Sequence, residues 1–253
     1  MSLPYGALTV DAVLFDLDDV LVPFETPAAW QWAWRPQGPV LGERRVRAAV
    51  RRSIRRWDRR RWRGVTGREP PADLAALLQH LRESLAAVAG RSLPEPETEA
   101  VVRRILRPAG EVERYPDVAP ALERLRAAGV PWGIATELPA DSAQWLLRRV
   151  GLDPARLFVS GEGPSPLPDR AAFRAAVARF DLPPERVVFV GDLFWSDARA
   201  AARAGLPSLL LDRHDAWPKV QGGRIVSLDH LESALAAGGT SASADEAADD
   251  AAE

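Results

Sequence analysis

The sequence VDAVLFDLDDV at residues 10–20 joins an apolar run to a group of aspartates. Residues 12–15 form an apolar, partly β-branched run directly before the acids, and this predicts a strand within residues 12–17 that is buried on both faces of a parallel sheet. Asp16 and Asp18 then follow the strand at its carboxyl end, where open α/β sheets form their ligand crevice. One carboxylate could attack phosphorus or carbon while the other handles the proton of the leaving group. Two like charges this close need a cation, and Mg²⁺ prefers oxygen ligands. The alternative is an acidic turn after a buried strand.

Polar residues follow two further apolar runs. Residues 187–190 are apolar and are closed by Gly191 and Asp192, with Asp197 five residues later. A third candidate strand at residues 131–136 ends in Thr136, whose hydroxyl can donate a hydrogen bond to a phosphate oxygen. Glu137 comes next and either touches the substrate or faces solvent. Three strand ends therefore converge on one chemistry.

With these motifs, residues 10–237 resemble the haloacid dehalogenase superfamily, most of whose members are Mg²⁺-dependent phosphotransferases with an aspartyl nucleophile. The resemblance implies that Asp16 becomes a phospho-aspartate and that Asp18 is the general acid and base. It implies that Thr136 binds phosphate. Asp192 resembles a direct metal ligand and Asp197 a ligand or an outer partner, while Asp16 and the backbone carbonyl of Asp18 complete the Mg²⁺ site.

One position separates the branches of this superfamily. Dehalogenases lack an acid at the second motif position, whereas phosphatases keep one there. Asp18 therefore favours phosphoryl chemistry over halide chemistry.

The chain departs from the resemblance at one position. The superfamily normally places a lysine before the helix that precedes the acidic metal motif, but the alignment puts Leu167 there, and the only lysine of the chain is Lys219. Arg170, three residues further on, could supply the missing charge, because a guanidinium binds phosphate well. The alternative is that Arg170 caps a helix and that catalysis is weakened.

The pattern of elements predicts an α/β fold, with a Rossmann-like three-layer core around a parallel sheet and an inserted α-helical cap domain. Strands and helices alternate after residue 113, which is typical of parallel sheets with crossover helices. We assign residues 1–21 and 113–237 to the core and residues 22–112 to the cap, which would close over the site and select the substrate. The small, polar and acidic residues 238–253 predict a disordered tail.

Two features of the predicted cap have alternative interpretations. Residues 43–63 combine apolar positions at helical spacing with many arginines, which predicts a basic amphipathic helix. Its arginines either collect anionic substrates, contact nucleic acid or are simply solvated, and we favour solvation. Trp30, Trp32 and Trp34 either line a pocket or pack the cap, and we favour packing.

The composition of the chain limits the classes of function that we expect for this protein. The formal net charge of −2 argues against nucleic acid as a partner. There is no cysteine for disulfides or thiolate metal sites, and the three histidines form no spaced cluster. The sequence contains neither a signal segment nor an apolar run long enough to span a membrane, so we expect a cytoplasmic protein.

The sequence thus predicts a Mg²⁺-dependent phosphomonoester hydrolase that acts on a small phosphorylated metabolite. The rival hypothesis is a catalytically impaired protein of the same fold that binds a phosphorylated ligand or a protein partner, because Leu167 replaces the expected lysine.

Overall fold

A computed structural model of the chain describes residues 3–5, 8–69, 73–106, 112–220 and 222–237. The predicted tail at residues 238–253 lies outside the described residues, as do residues 107–111 at the end of the predicted cap.

The strands form two sheets. Their bounds are β1 (Leu3–Tyr5), β2 (Leu8–Val10), β3 (Ala12–Phe15), β4 (Trp132–Thr136), β5 (Arg156–Val159), β6 (Val187–Gly191), β7 (Ser208–Leu211) and β8 (Arg224–Ile225). β1 and β2 pair as an antiparallel hairpin, whereas the other six strands form one sheet in the order β5-β4-β3-β6-β7-β8. Every pair in the six-stranded sheet is parallel.

The central strand β3 is buried on both faces, as its composition predicts. Val13 and Phe15 belong to one hydrophobic cluster, which also contains residues of α5 (Val118–Ala127), α6 (Ala140–Val150) and α9 (Leu231–Ala237). Ala12 and Leu14 point the other way, into a cluster formed with α7 (Arg170–Ala178) and α8 (Ala200–Ala204). This alternation follows from the two-residue period of a strand. The three-layer α/β fold is therefore confirmed.

The first four of the five α-helices described between β3 and β4 precede α5 and form a separate group. They are α1 (Pro27–Trp34), α2 (Glu43–Val65), α3 (Leu74–Ala89) and α4 (Glu95–Leu106), and we call them the helical insertion. The predicted basic helix is α2. A third hydrophobic cluster fills the insertion and continues into the core domain through Leu193, Leu210 and Trp217. No helix among the described residues is long and apolar enough to cross a membrane.

The three tryptophans of α1 pack within the insertion, and none lines the cavity that contains Asp16 and Asp18. Trp32 and Trp34 line a separate cavity of about 600 Å³ between α1 and the start of α2. Trp30 and Trp34 are buried, while the Arg104 guanidinium stacks 4.3 Å from the ring centroid of Trp32. Because the segment is helical, Trp30 and Trp34 lie four residues apart on one face, whereas Trp32 lies on the other side of the helix.

Two helix ends show a residue in its expected role and a residue in a different one. Gly151 ends α6 in the left-handed conformation, as expected for a glycine after the last turn. Asp117 precedes α5 but makes no capping hydrogen bond. Its carboxylate instead accepts hydrogen bonds from Arg213 (2.8 Å to Nη1) and from the backbone of Leu228 (2.8 Å), so it ties distant segments of the core together.

Candidate active site

Three adjacent strands bring the predicted residues to one edge of the sheet. Asp16 directly follows β3, and its backbone N–H donates to the carbonyl of Val190 in β6 (2.9 Å). Thr136 is the last residue of β4, on the other side of β3. Because the strands are parallel, their carboxyl ends meet at the same edge, as the sequence predicts.

Three carboxylates meet at this edge. Asp16, Asp192 and Asp197 each offer an oxygen within 4.8 Å of the other two. Burial raises the pKa of Asp16 well above its usual range, and the nearby charges of Asp197 and Asp18 raise it further. Burial and the charge of Asp197 do the same to the pKa of Asp192. Hard oxygen donors that repel one another in this way suit a divalent cation such as Mg²⁺, whose charge would offset the repulsion.

The loop after β6 orients Asp197 toward this cluster. Its Oδ2 accepts a hydrogen bond from the backbone N–H of Leu193 (3.0 Å). A Cβ at position 191 would lie 2.5 Å from the Cβ of Asp197, so only glycine allows this close approach.

Asp18 lines the same cavity as Asp16 and Asp192. Burial raises the pKa of Asp18 to about 7, and the charges of Asp19 and Glu137 contribute to the shift. An acid with this pKa carries a proton for part of the time near neutral pH, as a general acid requires.

Asp19 organises the connection between the core and the helical insertion. It adopts a left-handed conformation with φ of 54°. Its carboxylate accepts hydrogen bonds from the backbone N–H groups of Phe24 and Glu25 (3.0 Å each) and from the hydroxyl of Tyr115 (2.9 Å). Phe24 and Glu25 lead into the insertion, whereas Tyr115 follows its return to the core, so one side chain holds both connections.

The helical insertion contributes a cation to the site. Arg61, on α2, lines the cavity, and only 11% of its side chain is exposed. Its Nη2 lies 2.5 Å from Oε2 of Glu137, the residue after β4. The positive charge of Arg61 opposes the burial-driven rise in the pKa of Asp16 and Asp18. Among the described residues that line the cavity, Arg61 is the one cation.

Asp58 connects α2 to the segment that follows β6. Its carboxylate is fully buried and accepts hydrogen bonds from the backbone N–H groups of Trp195 (2.9 Å) and Ser196 (2.8 Å) and from the hydroxyl of Ser196 (2.8 Å). Burial raises the pKa of Asp58 to about 6 against these hydrogen bonds. Because these N–H groups begin the helical segment at Phe194–Arg199, the Asp58 carboxylate occupies the N-terminus of that segment.

The remaining predicted residues lie in different surroundings. Thr136 is buried, and its Oγ1 accepts a hydrogen bond from the N–H of Leu138 (3.2 Å), which leaves its proton free for another acceptor. Leu167 is buried against the apolar face of α7. Arg170 is exposed at the start of α7 and is not among the residues that line the cavity. The structure therefore does not bring Arg170 to the site, because the first turn of α7 points it to solvent.

Arg61 and Asp58 were missed by the sequence analysis, although a signal for them exists. Ile54 belongs to the apolar face of the basic helix, and residues four and seven positions later fall on the same face. Those positions are Asp58 and Arg61. Two charged residues that continue a buried face have to find partners in the interior, and this distinguishes them from the solvated arginines around them.

The cavity next to the carboxylates has a volume of about 500 Å³. It lies between the sheet edge and helices α2, α3 and α4, so residues of the insertion and of the core share its lining. This size is typical of small-molecule sites.

The sequence matches the family model of haloacid dehalogenase-like hydrolases over residues 10–205. Two curated relatives are phosphatases. Phosphoglycolate phosphatase of Escherichia coli strain K12 is 28% identical over 79% of this chain and 80% of its own length. Glyceraldehyde 3-phosphate phosphatase of Methanopyrus kandleri is 27% identical over 81% of this chain and 84% of its own length.

A similar fold is found among solved structures. The crystal structure of an L-2-haloacid dehalogenase aligns with a TM-score of 0.64 and 17% sequence identity, covering 89% of this chain and 98% of that one. At this identity the likeness concerns the fold alone.

Proposed function

Because the chain belongs to the haloacid dehalogenase-like hydrolases, we propose that it is a Mg²⁺-dependent phosphomonoester hydrolase acting on a small phosphorylated metabolite. The observation that carries the proposal is the pairing of Asp16 with Asp18 in one cavity, two residues apart and opposite the cation Arg61. The names of the two phosphatase relatives support phosphoryl chemistry.

We assign the metal to the three clustered carboxylates. Asp16, Asp192 and Asp197 would hold Mg²⁺ together with the backbone carbonyl of Asp18. The bound ion would neutralise charge on the phosphoryl oxygens and on the carboxylates.

In the proposed reaction, a carboxylate oxygen of Asp16 attacks phosphorus and the bond from phosphorus to the ester oxygen breaks. Asp18 gives its proton to the departing oxygen, which leaves as an alcohol. Asp18 then takes a proton from water as the water attacks the phospho-aspartate. Inorganic phosphate leaves and the Asp16 carboxylate is restored, so one water is consumed for each ester.

We propose that Arg61 supplies the positive charge that other members place on a lysine. Arg61 approaches from the helical insertion, opposite the sheet edge, and its guanidinium matches the geometry of phosphate oxygens. Thr136 would donate its hydroxyl proton to the same phosphoryl group. In this proposal Arg170 has no role at the phosphate.

The rival function is binding without turnover. It is favoured by Leu167, because a buried leucine stands where the resemblance requires a lysine. Dehalogenation is disfavoured by Asp18, since the dehalogenase branch has no acid at that position.

The test is phosphate release from a panel of phosphomonoesters by the wild-type protein, with Mg²⁺ or with EDTA. We expect turnover with Mg²⁺ and none with EDTA. A wild-type protein that releases no phosphate, while Leu167→Lys gains turnover, would support the binding function instead.

Metal removal is expected to make stability depend on pH. The folded-state pKa values of Asp16, Asp192 and Asp197 are raised, so the folded protein holds more protons than the unfolded chain. The contribution of these three carboxylates to the stability of the metal-free protein therefore falls as the pH rises above about 4. Bound Mg²⁺ needs the ionised carboxylates, so it should raise the melting temperature more at about pH 7.5 than at about pH 5. Thermal unfolding with Mg²⁺ or EDTA at both pH values measures this.

Asp192→Asn is the matched variant for this prediction. It removes one of the repelling charges, so its metal-free form should melt no lower than the wild type at about pH 7.5 and should lose most of the response to Mg²⁺. An equal Mg²⁺ response in both proteins would contradict the assignment of the site.

A further inference from the structure

Most of the residues that line the cavity beyond the carboxylates are apolar. The apolar lining residues come mainly from the helical insertion and from the segment that connects β3 to it. Six of the apolar lining residues are Phe24, Ile54, Trp57, Leu74, Leu77 and Leu106. They surround the space that the alcohol part of a phosphomonoester would occupy when its phosphorus faces Asp16.

The acidic side chains around this space are already engaged. Glu25 lies 2.9 Å from Nε2 of His80 and accepts a hydrogen bond from Ser53 (3.1 Å). Asp73 caps α3, and Glu137 pairs with Arg61. Each of these carboxylates already has a hydrogen-bond or ion-pair partner among the described residues, so a cationic leaving group would have to share or displace one of them.

An anionic leaving group would bind less favourably in this cavity than a cationic one. Arg61 is the one cation among the described lining residues, and it already faces Glu137 and the phosphoryl position. A second carboxylate or phosphate on the substrate would enter a space with apolar walls and a net negative charge, where it would lose water and gain no partner.

We propose that the substrate is a phosphomonoester of an uncharged, apolar alcohol, with a leaving group that fills the apolar part of the cavity. This inference rests on the proposed phosphatase function for turnover, although the apolar cavity also applies to a protein that only binds. It separates this chain from enzymes for phosphoglycolate, whose leaving group carries a carboxylate.

The experiment compares primary alkyl phosphates from ethyl to hexyl with phosphoglycolate, at saturating Mg²⁺. The leaving oxygens of these esters have similar reactivity, so differences in kcat/KM reflect contacts between the leaving group and the cavity. We expect kcat/KM to rise about two- to fourfold for each added methylene, because each buries apolar area. Phosphoglycolate should be at least about tenfold worse than ethyl phosphate, since its carboxylate finds no partner.

A charge placed at the cavity should reverse the preference. Leu74 lines the cavity and is 66% exposed, so Leu74→Arg should fold normally. We expect it to shift the ratio of kcat/KM for phosphoglycolate over hexyl phosphate upward by about tenfold or more. Gln79→Arg is the matched control, because it adds the same charge to the exposed side of α3, away from the cavity, and should leave the ratio unchanged.

Calorimetric binding of alkylphosphonates and phosphonoacetate separates this inference from the proposed function. If turnover and affinity rise with chain length, the results support the apolar leaving group and the phosphatase function. Turnover that is independent of chain length, or that favours phosphoglycolate, overturns the apolar leaving group and leaves the phosphatase standing. Affinity that rises with chain length without any turnover supports the apolar ligand and overturns the phosphatase. If there is no turnover and the affinity does not depend on chain length, both the apolar ligand and the phosphatase function are overturned.

Discussion

Asp16→Asn is expected to reduce phosphate release by about 10,000-fold or more, because an amide oxygen is a poor nucleophile and cannot form the phospho-enzyme. The substitution keeps the size of the side chain and removes one of three repelling carboxylates, so the variant should fold at least as well as the wild type without metal. The measurement is kcat on the best ester of the panel, together with the melting temperature in EDTA.

The matched control for this prediction is Asp153→Asn, which makes the same change at an exposed loop position and should keep wild-type kcat. The comparison also tests for contamination, since a rate that came entirely from a host phosphatase would be the same in both variants. A folded Asp16→Asn protein with more than about a tenth of wild-type kcat would remove Asp16 from the role of nucleophile.

Arg61→Ala is expected to lower kcat/KM by about 100- to 1,000-fold, since it removes a preorganised positive charge from the phosphoryl group in a site with little water. Arg61→Lys should recover part of the rate, because it keeps the charge but loses the two-pronged geometry. Inhibition by inorganic phosphate should weaken in parallel, which a purely structural role of Arg61 would not cause.

Two arginines serve as controls for Arg61. Arg59→Ala removes the same side chain from the exposed face of α2, and Arg170→Ala tests the replacement that the sequence suggested. Both should stay within about twofold of wild-type kcat/KM, as expected of exposed charges that are screened by solvent. A large loss in Arg170→Ala together with a small loss in Arg61→Ala would restore Arg170 as the phosphate cation.

The core fold was predictable because its signals are local. Each central strand is a short apolar run followed by polar residues, and residues 12–17, 131–136 and 187–191 all correspond to observed strands within two residues at each end. Parallel pairing then places Asp16 and Asp192 at one edge whatever the loops between them do. The proximity of Asp16 and Asp192 follows from the adjacency of β3 and β6, whereas Asp197 is oriented by the loop after β6.

The cation of the site was not predictable in the same way. Arg61 is one of many arginines in α2, and its proximity to Glu137 depends on how the helical insertion packs on the core. Asp117 shows the same limit on a smaller scale. It has the sequence position of a helix cap, but its carboxylate reaches Arg213 and Leu228, which are distant in sequence. Local propensity cannot rank such partners, because tertiary contacts decide between them.

The buried carboxylate of Asp58 limits how this enzyme can diversify. It sits on the element that shapes the cavity, yet its hydrogen-bond donors belong to the loop that carries Asp197. An exchange of the insertion for a segment without equivalents of Asp58 and Arg61 would leave two backbone N–H groups of the core without an acceptor and would remove the cation of the cavity. Point substitutions along the cavity wall keep both residues, and therefore alter specificity without this cost.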